Sequence, residues 1–132
     1  MSDLSDLFFW EVNGVIEIHD FFINEYGGKP EFKDGIGSLE SALERPKQYL
    51  YYYKYDVPKL AGVYAHSIAG GHVFTDGNKR TASRISEVFL IRNGFLLMMS
   101  NFTFENLILG IADGSLSIEY VAEYFSIFSR EL

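Results

Sequence analysis

Most of this chain carries apolar residues at the three- and four-residue spacing of an α-helix, and only Pro30, Pro46 and Pro58 interrupt it. That pattern predicts an all-α bundle of six or so helices. Val12, Val15, Ile16, His19 and Ile23 define a first helix, ended by Gly27-Gly28-Lys29-Pro30, because glycine supplies the exit conformation and proline cannot continue the helix. Ser38 to Leu43 predicts a short helical turn stopped near Pro46, followed by the tyrosine-rich stretch Tyr49 to Tyr55. Asp56 is a good N-cap, with Tyr55 and Leu60 as staple and Pro58 in the first turn, for a helix running to about Ala69. A strong helix is expected from Asn78 to Asn93, with Ala82, Ile85, Val88 and Phe89 as its stripe and Gly94 as its stop. Thr103 (staple pair Phe102 and Leu107) and Ser117 (Leu116 and Val121) are the expected caps of the last two helices. A small extended piece is expected at Phe95 to Met99. With no linker or repeat, 1–132 reads as one domain.

Composition narrows the function. The net charge of -7 disfavours direct nucleic-acid binding, which needs clustered cations. The absence of cysteine excludes a thiolate zinc site and a cysteine nucleophile. Met1-Ser2-Asp3-Leu4 lacks the basic region of a secretory signal, and no apolar run approaches spanning length, so a soluble cytoplasmic protein without membrane contact is expected.

The informative segment is His72-Val73-Phe74-Thr75-Asp76-Gly77-Asn78-Lys79-Arg80, a polar loop between two apolar helices. Gly77 permits positive φ, and the amides of Gly77, Asn78 and Lys79 lie at a helix N-terminus, where N–H groups and the dipole attract anions. Lys79 and Arg80 put cations at that same positive end, which costs the helix some stability that a bound anion would offset. Asp76 beside such a site suits Mg²⁺, which is usually held by one or two carboxylates and phosphate oxygens. His72 supplies an imidazole, the side chain type suited to act as a general base on a hydroxyl.

This order of residues resembles the signature of the Fic/Doc family: a histidine, then x-Phe-x-acid-Gly-Asn, then Gly-Arg or Lys-Arg. The resemblance extends to Tyr26-Gly27-Gly28, Lys33-Asp34-Gly35, Leu39-Glu40-Ser41-Ala42, Arg45-Pro46, Thr81-Ala82, Arg92-Asn93-Gly94-Phe95 and Gly110-Ile111-Ala112-Asp113-Gly114, which look like the Doc (death-on-curing) toxin branch. It implies a compact helical Fic/Doc bundle with the active-site loop between two central helices. It also implies transfer from ATP, with Mg²⁺, to a hydroxyl of a target protein. Fic members generally move AMP, whereas Doc members move the γ-phosphate. Lys79, where AMP-transferring members have glycine, and Ser83, where they often have a second arginine, point to the Doc chemistry. The roles carried over are His72, Lys79 and Arg80 as catalytic, and Phe74, Thr75, Gly77, Asn78, Lys79 and Arg80 as the nucleotide- and phosphate-binding set, Phe74 being more simply a core anchor. Asp76 is the metal ligand. By the same resemblance the target is elongation factor Tu, translation is inhibited, and a separate antitoxin restrains the enzyme in trans; no inhibitory-helix motif occurs in the chain itself.

Two other functions compete: AMP or nucleotide transfer on the same fold, and a non-catalytic module that binds a nucleotide or a partner. Plainer readings stand beside the chemical ones. His19-Asp20 reads as a helix-surface or core-edge pair, and His66 as a satisfied core or supporting histidine. The tyrosines from Tyr49 to Tyr55 read equally as packing and as an interface.

Overall fold

The computed structural model describes residues 6–132. The reading of Met1 to Leu4 lies outside the described residues. Six helices form the body: α1 Val12–Tyr26, α2 Ile36–Tyr53, α3 Val57–Ala65, α4 Asn78–Arg92, α5 Asn101–Ala112 and α6 Ile118–Phe128. Strands β1 Phe95–Leu97 and β2 Ser129–Glu131 pair antiparallel, with Leu96 opposite Arg130. The bundle expected from the apolar spacing is therefore the observed architecture.

Helix α3 is the axis. Leu60, Ala61, Val63, Tyr64 and Ala65 are all fully buried, and α2, α4 and α6 pack around them. Asp56 caps it as expected, its carboxylate accepting from the Lys59 N–H at 3.2 Å. At Gly62 the packing closes to backbone: a Cβ there would lie 2.8 Å from Ala122 Cα on α6. The glycine is required by this close approach rather than by its dihedrals.

Three local expectations are corrected. Helix α2 does not stop near Pro46 but runs through it to Tyr53, taking in most of the tyrosine-rich stretch. Leu39, Ala42, Leu43 and Pro46 are its buried face, so the proline falls on the core-facing helical repeat, and that burial offsets the hydrogen bond its ring removes. Helix α5 is capped by Ser100, not Thr103; the Ser100 hydroxyl accepts from the Thr103 N–H at 3.2 Å. Phe102 is 76% exposed and cannot act as a staple. The extended piece is confined to Phe95–Leu97 and pairs with Ser129–Glu131, a segment that the apolar spacing does not mark as a strand. Ser117 caps α6 as expected, accepting from Tyr120 N–H at 3.1 Å.

Gly62→Ala adds helix propensity worth about 1 kcal/mol but forces α3 and α6 apart at a cost of about 1–3 kcal/mol. The expected result is a lower urea midpoint with an unchanged m-value. A raised midpoint would contradict the close packing of these helices.

Candidate active site

The polar segment joins the two central helices. Helix α3 passes into a π-helical turn, His66–Gly70, and Gly71 follows where any Cβ would collide with the Ser67 carbonyl. His72 then adopts φ 48°, a left-handed conformation rare outside glycine, which persists only where surrounding structure holds it. What holds it is visible: His72 Nε2 lies 3.0 Å from the Ala112 carbonyl oxygen at the end of α5. A carbonyl only accepts, so Nε2 carries the proton and donates. In the neutral ring this leaves the Nδ1 lone pair as the acceptor.

Phe74 anchors the loop. Its ring is 1% exposed, stacked on His19 at 3.6 Å between centroids and on Phe32 at 5.1 Å. The loop edge is stitched to the segment before α2: Lys33 N–H donates to the Val73 carbonyl and Thr75 N–H to the Glu31 carbonyl. Asn78 closes the loop from the other side, its amide oxygen accepting from Phe74 N–H at 2.9 Å and its amide nitrogen donating to the Phe74 carbonyl at 2.7 Å. Phe74 thus takes the position of a core anchor, its ring buried and its backbone N–H and carbonyl both bonded by Asn78. Asn78 is a loop-closing residue. Thr75 is exposed on the loop crest.

Asp76 is positioned through two atoms. Its carbonyl accepts from His19 Nε2 at 2.7 Å, and its Oδ2 accepts from the Lys29 N–H at 2.7 Å. The side chain is exposed, which leaves Oδ1 open. No three His, Asp or Glu side chains converge on a common point among the described residues. A cation here would rest on Asp76 and on ligand oxygens, a donor set that suits Mg²⁺ beside a polyphosphate.

Gly77 has φ 83° and sits against the His19 ring, 3.2 Å from where a Cβ would be. Helix α4 begins there with no side-chain cap and no acid in its first turn. Its first N–H groups are uncommitted donors, reinforced by Lys79 and Arg80, neither of which forms an ion pair among the described residues. The Arg80 guanidinium lies 4.0 Å over the Tyr26 ring. Beside them opens a cleft of about 630 Å³ lined by Lys79, Arg80 and Arg84 at α4, Phe22 on α1, and Phe104 and Ile108 on α5. Glu87 also lines it, and burial pushes its carboxyl above the ordinary value. None of the tyrosines from Tyr49 to Tyr55 lines this cleft.

His19 is the residue that sequence reasoning missed. It is 1% exposed with Nδ1 3.9 Å from the exposed Asp20 carboxylate, the core-edge arrangement rather than the surface one, and its ring supports both Phe74 and Asp76. The available signal was a histidine placed squarely on the apolar stripe of α1. His66 is a supporting histidine as read: its Nε2 donates to the Leu116 carbonyl at 3.2 Å, its buried Nδ1 has no partner, and burial lowers its pKa.

A model of the Fic/DOC family matches residues 9–90 of the chain. Over 110 residues the chain is 34% identical to the "Protein kinase doc" of Escherichia phage P1, an alignment that covers 83% of this chain and 86% of that protein.

His19→Phe keeps an aromatic stack on Phe74 but leaves the Asp76 carbonyl without its donor. A stability loss of about 1–3 kcal/mol is expected in denaturant unfolding, with no loss indicating a water in the donor's place. The His66 pKa is lower folded than unfolded, so the unfolded chain binds more protons between the two values. Stability should fall as pH drops below about 6.5 toward the depressed folded pKa. His66→Gln should flatten that part of the urea-midpoint profile; an unaltered slope would assign it to other groups.

Proposed function

Because the chain belongs to the Fic/DOC family, we propose that it is a Doc-like toxin that transfers the γ-phosphate of ATP to a hydroxyl side chain of a protein. The observation that carries this reading is the pairing, within one loop, of a histidine whose Nε2 is committed to Ala112 with an uncapped, doubly cationic helix N-terminus. Phosphoryl transfer needs little else from a protein: a base for the attacking hydroxyl, and fixed positive charge where the transferring group passes.

The reaction follows from these parts. The target hydroxyl gives its proton to His72 Nδ1 as its oxygen bonds to the γ-phosphorus. The bond from that phosphorus to the β,γ-bridging oxygen breaks, and ADP leaves. The amides at the start of α4, with Lys79 and Arg80, hold the phosphate oxygens whose charge redistributes in this step. Asp76 Oδ1 would hold Mg²⁺, which when bound screens the charge of the triphosphate. Lys79 fills, with a cation, the place that glycine leaves open in AMP-transferring members, and this favours an ATP seated with its γ end toward His72. The cleft beside α4 has room for the rest of the nucleotide, or for a segment of an antitoxin acting in trans. Elongation factor Tu is the target that the Doc resemblance implies.

The test incubates the protein with a bacterial extract, Mg²⁺ and ATP labelled in either the α- or the γ-phosphate. A γ label on one protein is expected, reduced at least about 100-fold by His72→Ala, the usual contribution of a general base. An α label would instead assign nucleotide transfer. No label from either position would favour a binding module.

A further inference from the structure

The turn between α5 and α6, residues 112–117, is fixed by its own short bonds. Ser115 N–H donates to Asp113 Oδ1 at 2.8 Å and to the Gly110 carbonyl at 3.1 Å, and the Ser115 hydroxyl donates to that carbonyl at 3.1 Å. Two of its carbonyls are taken from elsewhere. Ala112 receives His72 Nε2–H and Leu116 receives His66 Nε2–H, from residues 40 and 50 positions away in the chain. On a continuous α-helix, residues six apart point about 120° away from each other. Here the π-helical turn His66–Gly70 and the left-handed backbone at His72 intervene, and both rings reach the same turn. A π turn commonly marks a site where register has been adjusted for function.

We propose that the α5–α6 turn is a clamp on the base, and that His66 is the positioning residue that secures it. By holding the Leu116 carbonyl, His66 keeps the Ala112 carbonyl in place. That carbonyl keeps His72 protonated on Nε2, with Nδ1 open toward the reacting hydroxyl. The bond to Leu116 is the one polar contact of the His66 ring among the described residues, since Nδ1 is buried without a partner. The His66 imidazole stays neutral because burial disfavours its charged form, so the contact persists through neutral pH. Asp113 is fully exposed and secures the same turn from outside, its carboxylate held below the usual range by its bonds to Ser115. The inference rests on the reading of His72 as the base.

The experiment uses full-length protein labelled with ¹⁵N-histidine and reads the His72 tautomer directly by long-range ¹H–¹⁵N correlation, without substrate. His66→Met removes the donor at similar size, His66→Gln retains one, and Asp113→Ala loosens the turn from an exposed position that leaves the core untouched. In wild-type protein the Nε2–H form of His72 should dominate. His66→Met and Asp113→Ala should each raise the Nδ1–H fraction and His66→Gln should restore the wild-type ratio. Where γ-phosphate transfer is measured, His66→Met should lower kcat roughly 10-fold with KM for ATP unchanged, as for a base held slightly out of line. If both loosening variants are folded and His72 keeps its tautomer, the clamp is overturned; should His66→Met not fold, Asp113→Ala alone decides. A wild-type protein with the Nε2–H tautomer but no phosphate transfer would instead count against the functional reading and leave the clamp standing.

Discussion

The ring of Phe74, stacked between His19 and Phe32, is the contact on which the rest of the site depends. A polar loop between two helices has little reason to hold one shape, because its backbone groups are equally well served by water. Here one buried ring locates the loop, and the groups on either side of it are then within reach of fixed partners. Asn78 closes on the Phe74 backbone where the buried ring has placed it. The same ring places the Asp76 carbonyl over His19 and Thr75 beside Glu31. The loop is thus organised from the inside, and its outward groups, the Asp76 Oδ1, the α4 amides and the His72 Nδ1, have no partner among the described residues.

That economy explains two features that would otherwise be faults. His72 holds a left-handed backbone without being glycine, a cost of about 1–3 kcal/mol. Helix α4 starts with two cations and no acid, against the sense of its dipole, in a chain whose net charge is -7. Neither improves folding. Each belongs to the open side of the loop, and the well-packed α3 axis, with residues 60, 61 and 63–65 fully buried, supplies the stability that tolerates them.

What the sequence made legible follows the range of the interactions involved. Caps and stops act within a few residues, so Asp56, Ser117 and Gly94 could be read directly. The motif loop was legible because its chemistry is contiguous. Pro46 misled because its local penalty is visible in sequence whereas the burial that offsets it is tertiary. Ser100 and Thr103 are both competent caps three residues apart, and the choice between them turns on Phe104 being buried while Phe102 is not. The pairing of β1 with β2 and the support given by His19 join residues more than thirty and more than fifty positions apart, a separation that periodicity does not encode.

Helix α4 has its uncommitted donors at one end and its attachments at the other. At the far end Asn93 bonds both the N–H and the carbonyl of Phe8, and the Leu132 N–H closes on the Gly94 carbonyl. Fifteen residues at 1.5 Å each put these ties about 22 Å from Gly77. An anion bound at the head of the helix therefore touches none of them, yet it favours the native state as a whole by mass action. Amide exchange at the tail, wherever it proceeds only through global opening, would slow by the same free energy as exchange beside the ligand. The far end of α4 thus acts as a remote gauge of occupancy at the near end, with no movement transmitted between them.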